Sequence, residues 1–223
     1  MISSRCRRED LFENMTGGST GSPMRFYYDR DVRDIRGAAT LRHDRWTGWD
    51  IGERMAKLWG APRDVQPRGL KARLRTRLIN RTLILDASAL DEAAMARFAD
   101  KLKRYRPKIL LAYANTLGLF ARYVQEQNIR GITADGIITS AEVLTEENRA
   151  LIEKTFGCPV FNRYGSREFG VIASECAAHA GLHVNADSLL VETVAAGAPS
   201  RGEGGELAIW RSEERRVGKE CRS

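Results

Sequence analysis

Residues 109–140 read ILLAYANTLGLFARYVQEQNIRGITADGIITS, and this stretch determines the class of structure. The apolar run Ile109–Tyr113 predicts a buried strand, residues 115–127 predict a helix, and Gly136–Ser140 predicts a second strand. Because two strands joined through a helix need a crossover connection, they are expected to lie parallel in one sheet. The stretch therefore predicts an α/β protein.

The same alternation of strands and helices continues on both sides. The predicted elements are strands at Thr82–Asp86 and 159–164, and helices over 91–105 and from a cap at Thr145 to Phe156, with Gly157 as a left-handed stop. Beyond Gly170, short strands at 189–194 and 205–210 predict an antiparallel addition. We therefore expect a largely parallel sheet with flanking helices and a short antiparallel β addition near the C-terminus.

A different pattern precedes this region. Residues 24–28 predict a strand, and Asp29 or Asp31 is expected to cap a helix that runs towards Trp46. His43, within that charged helix, is expected to be solvated. Residues 1–14 are polar and leave no room for a strand and a helix before residue 16.

Composition and charge exclude several classes of protein. The 223 residues contain 43% hydrophobic and 29% charged side chains, as in an ordinary globular domain. The sequence has no apolar run long enough for a membrane span, and residues 1–30 do not resemble a signal peptide. Its four cysteines are scattered without a paired framework, so a reducing, cytoplasmic setting is expected.

Most of the formal net charge of +7 comes from residues 63–81, which we call the basic segment. Seven arginines and lysines stand there against one acid, Asp64, and Leu70, Leu74 and Leu78 recur at helical spacing. An amphipathic basic helix could face nucleic acid, an anionic membrane surface or a polyanionic substrate, or be only a solvated face. No aromatic residues interleave with the basic ones, which makes nucleic acid the weaker alternative.

Residues 16–23 read TGGSTGSP and have the composition of a phosphate-binding loop. Glycine lets backbone N–H groups turn towards an anion, and the hydroxyls add donors and a ligand for Mg²⁺. The alternative is a flexible linker. The common P-loop is excluded, because no Lys-Ser or Lys-Thr pair follows Gly21.

Two strand ends complete a candidate nucleotide site. Ligands of open parallel sheets bind beyond the carboxyl ends of the strands, where Ser140-Ala141-Glu142 and the stretch from Tyr164 to Gly170 are expected. There Tyr164 could stack on a base, Glu168 could bind Mg²⁺, and Arg167 could pair with phosphate oxygens. Glu142 could equally be an acid at the entry of the next helix.

These motifs together resemble those of the adenylate-forming acyl-CoA synthetases. The similar segments are Thr16–Pro23, Ser140-Ala141-Glu142, Asn162-Arg163-Tyr164-Gly165-Ser166-Arg167-Glu168 and Gly202-Glu203-Gly204-Gly205-Glu206-Leu207. The branch that the chain resembles most is that of phenylacetate–CoA ligase with its capsule-biosynthesis and coenzyme F390 synthetase-like relatives. The resemblance covers about residues 12–210.

This resemblance implies an activity and a set of site residues. A carboxylic acid, aryl or related, would attack ATP to give acyl-AMP and pyrophosphate, and CoA would then displace AMP. The implied catalytic residues are Thr20, Arg167 and Glu168, the last as the Mg²⁺ ligand. The implied nucleotide-binding residues are Thr16, Gly17, Gly18, Ser19, Thr20, Gly21, Ala141, Glu142, Asn162, Tyr164 and Gly165. Tyr113, Ser140 and Gly165 would contact the acyl group.

The sequence differs from the family's motifs at two positions, and parts of the family's sequence are expected to be missing from this chain. Arg167 stands where the motif has Thr, and no Lys follows Pro23. We expect an interior fragment, with a truncated start at 1–14, a partial nucleotide- and acyl-binding domain at 15–210 and a non-native tail at 211–223. The small C-terminal domain with the catalytic lysine would be absent, so weak nucleotide binding and inefficient turnover are expected.

Cys176, His179 and His183 have the spacing of metal ligands, and Glu175 or Cys158 could complete a tetrahedral structural Zn²⁺ site. The alternative is an ordinary loop with a buried cysteine and surface histidines.

For the chain as a whole, two alternatives to a ligase stay open. One is a non-catalytic nucleotide-binding or interaction module, and the other is a nucleic-acid- or membrane-surface-binding protein that uses the basic segment.

Overall fold

A computed structural model describes residues 7–15, 24–60, 80–87, 90–195, 198–199 and 206–211. The loop at 16–23, the basic segment up to residue 79 and the tail at 212–223 lie outside the described residues. The chain forms two compact units. The first comprises Met1–Thr40, Gly165–Ala173 and His183–Ser223, and the second comprises Leu41–Tyr164 and Ser174–Leu182.

The described elements are numbered in chain order. The strands are β1 Phe12–Met15, β2 Arg25–Tyr28, β3 Met55–Trp59, β4 Thr82–Asp86, β5 Ile109–Tyr113, β6 Gly136–Ser140, β7 Val160–Ser166, β8 Gly170–Ser174, β9 His183–Val184, β10 Leu189–Ala195, β11 Ala198–Pro199 and β12 Glu206–Arg211. The α-helices are α1 Arg30–Trp46, α2 Glu92–Tyr105, α3 Ala114–Glu126 and α4 Glu146–Phe156.

A parallel sheet with the strand order β4-β3-β5-β6-β7 organises the second unit. Its register pairs Tyr113 with Ser140 and Ser140 with Arg163, so the carboxyl ends of β5, β6 and β7 lie at one edge. The predicted parallel sheet with flanking helices is confirmed.

Both faces of this sheet are buried, as is usual for parallel strands. On one face Leu110 and Ile137 belong to the main core, to which the helices contribute Leu117, Phe120 and Ile152. On the other face a smaller cluster holds Met55, Ile109, Ile138 and Phe161, against which Trp49 packs. The continuous apolar runs in β5 and β6 are explained by this burial on both sides.

Local capping chemistry sets the ends of α4 as the sequence predicts. The Thr145 side chain accepts a hydrogen bond from the Asn148 amide at 3.2 Å, and Gly157 ends the helix in the left-handed region at φ 68°. At α2, Asp91 accepts from the Ala94 amide at 2.6 Å, but the left-handed residue at the end is Arg106.

The first unit contains a strand before residue 16. β1 pairs antiparallel with β2, and the Phe12 and Tyr28 rings stack with centroids 5.8 Å apart. A 3₁₀ helix at Arg8–Asp10 precedes β1, so the expectation that residues 1–14 leave no room for such structure is wrong. In the same unit β10 pairs antiparallel with β11 and β12, which confirms the predicted antiparallel addition.

His43 is also placed differently from the prediction. Its side chain is fully buried near the end of α1, and its ring meets the Trp46 ring edge-on at 4.4 Å. The surrounding charges in the sequence suggested a solvated histidine. Burial instead follows from its place on the inward side of the last helical turns, next to Asp44, which is also buried.

Candidate functional site

Within the second unit, the carboxyl edge of the parallel sheet gathers several residues that the sequence predicts to be functional. Tyr113 ends β5 opposite Ser140, which ends β6, and Tyr164 directly follows the partner of Ser140 in β7. Tyr113, Ser140, Ala141 and Tyr164 therefore lie at one edge of one sheet. This is the edge where open parallel sheets bind their ligands.

The backbone turns sharply at this edge. Ala141 has a φ of 68°, in the left-handed region that residues with a Cβ rarely adopt. The strain is local, because Ser140 before it is still in β6. Tyr164 remains 41% exposed although it lies beside buried strands. A strained turn beside an exposed aromatic ring is typical of a ligand site.

An aromatic pair lies at the same edge. The Trp59 and Tyr113 rings, at the ends of the paired strands β3 and β5, have centroids 4.2 Å apart and an angle of 34° between their planes. Both side chains are half-buried, so they present apolar surface without being closed into the core. Of the two, only Tyr113 was predicted from the sequence to be a site residue.

Glu142 has a role that the sequence did not predict. Its Oε2 atom accepts a hydrogen bond from the Asn115 amide at 2.7 Å, in the first turn of α3. Tyr113, the N-cap residue of that helix, supplies no side-chain bond. The Glu142 carboxylate therefore caps the preceding helix α3, rather than acting as an entry acid of the following one.

Replacing Glu142 with Ala is expected to lower the free energy of unfolding by about 1 kcal/mol, because α3 loses a charged cap at its N-terminus. Urea denaturation followed by circular dichroism measures the loss. Glu126→Ala, at the other end of the same helix, is the matched control and is expected to change stability by less than about 0.5 kcal/mol. Equal losses in the two variants would contradict the capping role.

Glu175 is buried in a network that also holds the backbone of β7. Its Oε2 accepts from the Asn162 amide at 2.8 Å, and its Oε1 pairs with Arg149 at 2.7 Å. Burial raises the pKa of Glu175, but the hydrogen bonds from Asn162, Arg149 and His179 outweigh it, so the pKa lies below its ordinary value. The ionised carboxylate thus fixes the segment that carries Asn162 and Tyr164.

A second buried ion pair also holds β7. Arg163 donates from Nη2 to Asp44 Oδ1 at 2.6 Å, and both side chains are buried. Asp44 lies near the end of α1, so the pair ties that helix to β7 next to Tyr164. Sequence reasoning missed this contact, because the partners are 119 positions apart.

The end of β7 and the turn that follows it lie in the first unit and carry Gly165, Arg167 and Glu168. A side chain at Gly165 would collide with the carbonyl oxygen of Gly170, and Gly170 itself has a φ of 81°. The Arg167 carbonyl accepts from Arg36 Nη2 at 2.9 Å. Arg167 and Glu168 are both half-buried. The turn is thus a tight, glycine-dependent structure that positions two of the predicted catalytic residues.

The zinc prediction is not met. Within the described part of the chain, no group of three or more His, Cys, Asp or Glu side chains is placed to hold a metal ion. Cys176 and His179, in the second unit, and His183, in the first, belong to no such group. His179 instead has Nδ1 3.3 Å from Glu175 Oε2, and its ring packs on Phe161 at 4.7 Å. Glu175, the suggested fourth ligand, is engaged in its own buried network.

Cys158, the other suggested ligand, is buried next to acidic groups. Burial, together with Asp135 and Glu153, raises the pKa of its thiol to about 12. Because only the thiolate reacts, alkylation of Cys158 by iodoacetamide at neutral pH is expected to be about 10³-fold slower in the native chain than in the denatured chain. Site-resolved mass spectrometry measures both rates, and similar rates would contradict a buried, neutral thiol.

None of the helices in the described ranges combines the length and apolar character that a membrane span requires.

The fold is that of the adenylate-forming acyl-CoA ligases. The crystal structure of 2-hydroxyisobutyryl-CoA ligase in complex with 2-HIB-AMP and CoA matches with a TM-score of 0.69 and 17% identity, over 92% of this chain and 49% of that one. ATP-bound MatB from Rhodopseudomonas palustris matches with a TM-score of 0.61 and 13% identity, over 89% of this chain and 39% of MatB. VinN matches with a TM-score of 0.62 and 18% identity, over 90% of this chain and 50% of VinN.

Among curated proteins, the chain is similar to Protein CapK of Staphylococcus aureus. The two are 31% identical over 166 residues, which is 73% of this chain and 36% of CapK. The chain thus spans about a third of the length of this relative, and half or less of the three solved structures. No family model matches the sequence.

Proposed function

We propose that this chain carries nucleotide- and acyl-binding elements of an AMP-forming carboxylate–CoA ligase. Such a ligase joins a carboxylic acid to AMP, with release of pyrophosphate, and then transfers the acyl group to CoA. The fold is that of CoA ligases, one of which was crystallised with an acyl-AMP and CoA and another with ATP.

One observation carries the proposal. The exposed Tyr164 ring and the strained turn at Ala141 lie side by side at the carboxyl edge of the parallel sheet, as the register of β6 and β7 requires. An aromatic ring beside an open backbone turn can stack on a purine while backbone groups bond to its edge. Ala141, Glu142, Asn162 and Tyr164 would therefore frame the adenine, with the Glu142 carboxylate holding α3 in place.

The phosphates would be bound by residues from two segments. Thr16, Gly17, Gly18, Ser19, Thr20 and Gly21 would supply backbone and hydroxyl donors, and Arg167 a positive charge. Glu168 fits a Mg²⁺ ion, because this ion is commonly held by one or two carboxylates together with phosphate oxygens. When bound, Mg²⁺ would neutralise charge on the phosphates.

The acyl substrate that fits best is an aryl or aryl-acetic acid of the phenylacetate type. Tyr113, Ser140 and Gly165 would contact the acyl group, and the Trp59–Tyr113 pair presents an aromatic surface to one side. Offset or edge contacts between aromatic rings add about 0.5–1.5 kcal/mol beyond apolar burial. An aliphatic acid of the same size would lack that gain.

ATP binding tests the nucleotide site directly. Titration calorimetry of the 223-residue chain with ATP is expected to show binding that Tyr164→Ala weakens by about tenfold, because base stacking on an aromatic ring contributes about 1–3 kcal/mol. Tyr164→Phe, which keeps the ring, is expected to bind like the unchanged chain. If the Ala and Phe variants bind ATP equally well, the stacking role is wrong.

Pyrophosphate exchange separates a ligase from a non-catalytic nucleotide-binding module. The assay is run with ATP and a panel of aryl and aliphatic acids, on the 223-residue chain. Exchange that depends on an aryl acid supports the proposed ligase. ATP binding without exchange on any acid would favour the non-catalytic module.

A further inference from the structure

A groove of about 430 Å³ lies at the amino edge of the parallel sheet, opposite the edge described above. The residues that line it stand directly before four strands of the second unit. Arg54 precedes β3, Arg81 precedes β4, Lys108 precedes β5 and Asp135 precedes β6. The groove therefore belongs to one unit and is separated from the proposed nucleotide site by the length of the strands.

The charge of the groove favours an anion. Four cationic side chains, Arg54, Arg81, Arg106 and Lys108, line it with two acidic ones, Glu53 and Asp135, which leaves a net charge of +2. Glu53 pairs with Lys108 at 2.6 Å, and that hydrogen bond lowers the pKa of Glu53. The three arginines and Asp135 then remain as the charges that a ligand would meet.

Two of these arginines have a backbone conformation that is unfavourable for residues other than glycine. Arg81 and Arg106 have φ values of 46° and 48°, in the region where glycine is the preferred residue. Arg106 ends α2 at the position where Gly157 ends α4. A glycine at the end of α2 would be the more stable choice. Two arginines in strained positions around one groove indicate that their side chains serve a purpose besides folding.

Two of the three arginines, Arg54 and Arg81, are also held by hydrogen bonds to the backbone. Arg54 donates from Nη1 to the Tyr105 carbonyl at 2.7 Å, and Arg81 donates from Nη1 to the Gly52 carbonyl at 3.0 Å. The Arg81 carbonyl in turn accepts from the Tyr105 hydroxyl. A guanidinium group has five N–H donors, so one bond to the backbone orients it and leaves others for a ligand.

We propose that this groove binds a small phosphorylated molecule through Arg54, Arg81 and Arg106. A phosphate monoester dianion matches the net charge, and arginine is the residue best suited to bind phosphate oxygens in pairs. The volume lies within the range of small-molecule sites, about 300–1,000 Å³, so a compact ligand fits better than a nucleic acid. The site is independent of the proposed ligase site.

Inorganic phosphate is the probe, titrated into the 223-residue chain by calorimetry in mildly alkaline, low-salt buffer. Arg81→Gln and Arg106→Gln are each expected to weaken phosphate binding by about tenfold, because each removes charge-assisted hydrogen bonds. Arg97→Gln, an exposed arginine of α2 outside the groove, is the matched control and is expected to bind normally. Asp135→Asn removes the facing negative charge and is expected to tighten binding several-fold.

Arg106→Gly separates ligand binding from folding. It relieves the left-handed strain, so the melting temperature is expected to rise by about 2–4 °C while phosphate binding falls as in Arg106→Gln. A variant that is more stable and binds less cannot owe its loss to unfolding. A lower melting temperature would overturn the argument from strain.

The double variant Ser19→Ala/Thr20→Ala tests whether the phosphate binds at residues 16–23 instead of in the groove. If phosphate binding is lost in that variant but kept in the groove variants, the groove proposal is overturned. Binding of a single-stranded oligonucleotide that Arg106→Gln abolishes, with no binding of phosphate, would also overturn it. Loss of phosphate binding only in the groove variants supports it, whatever the ligase assays show.

Discussion

Replacing Asp44 with Asn is expected to lower the free energy of unfolding by about 3–5 kcal/mol, because it leaves the Arg163 guanidinium charged, buried and uncompensated. The two side chains form a 2.6 Å ion pair in which Arg163 is 5% and Asp44 10% exposed. Water therefore cannot replace the lost carboxylate. Urea denaturation gives the free energy, and an unchanged slope shows that the denatured state is not altered.

Two controls show that the loss comes from the unpaired charge. Glu147→Gln breaks an exposed pair with Arg122 at 3.4 Å and is expected to cost less than about 1 kcal/mol. The double variant Asp44→Leu/Arg163→Met removes both charges and is expected to recover most of the stability, because an apolar pair needs no compensation. If the double variant is as unstable as Asp44→Asn, lost packing and not an unpaired charge is the cause.

The parts of the fold that the sequence predicts are those set by local chemistry. The apolar runs of β5 and β6 are long, are bounded by polar residues and are buried on both faces, so no competing structure suits them. Thr145 and Gly157 set the ends of α4 through bonds within a few residues. β1 was missed because it is four residues long and depends on pairing with β2, across the loop at 16–23.

The candidate site is harder to predict because its supports are distant in sequence. Asp44 pairs with Arg163, and Glu142 bonds to the Asn115 amide across 27 positions. No local sequence pattern predicts either contact. His43 was expected to be solvated because of its charged neighbours in sequence, but it is buried. Charged neighbours do not show which side of a helix faces the core. The spacing of Cys176, His179 and His183 suggested zinc, but spacing does not reveal that Glu175 is already engaged.

Replacing Gly165 with Ala is expected to lower the free energy of unfolding by about 1–3 kcal/mol, because the new methyl group has no space. It would collide with the Gly170 carbonyl oxygen and lie 3.3 Å from Val171 Cα, and backbone atoms cannot move aside as a flexible side chain can. The turn that carries Arg167 and Glu168 must then open. ATP affinity, measured by the same titration as for Tyr164, is expected to fall by about tenfold as the proposed phosphate contacts shift.

Gly37→Ala is the matched control and has the opposite expected sign. Gly37 lies in α1, is exposed, and a Cβ built on it meets no atom within 4 Å. Alanine in a helix is more stable than glycine by about 1 kcal/mol, so this variant should gain stability and bind ATP normally. A loss of stability in both variants would point to a general intolerance of the first unit. A loss confined to Gly165→Ala, with weaker ATP binding, would tie the tight turn to the proposed nucleotide site.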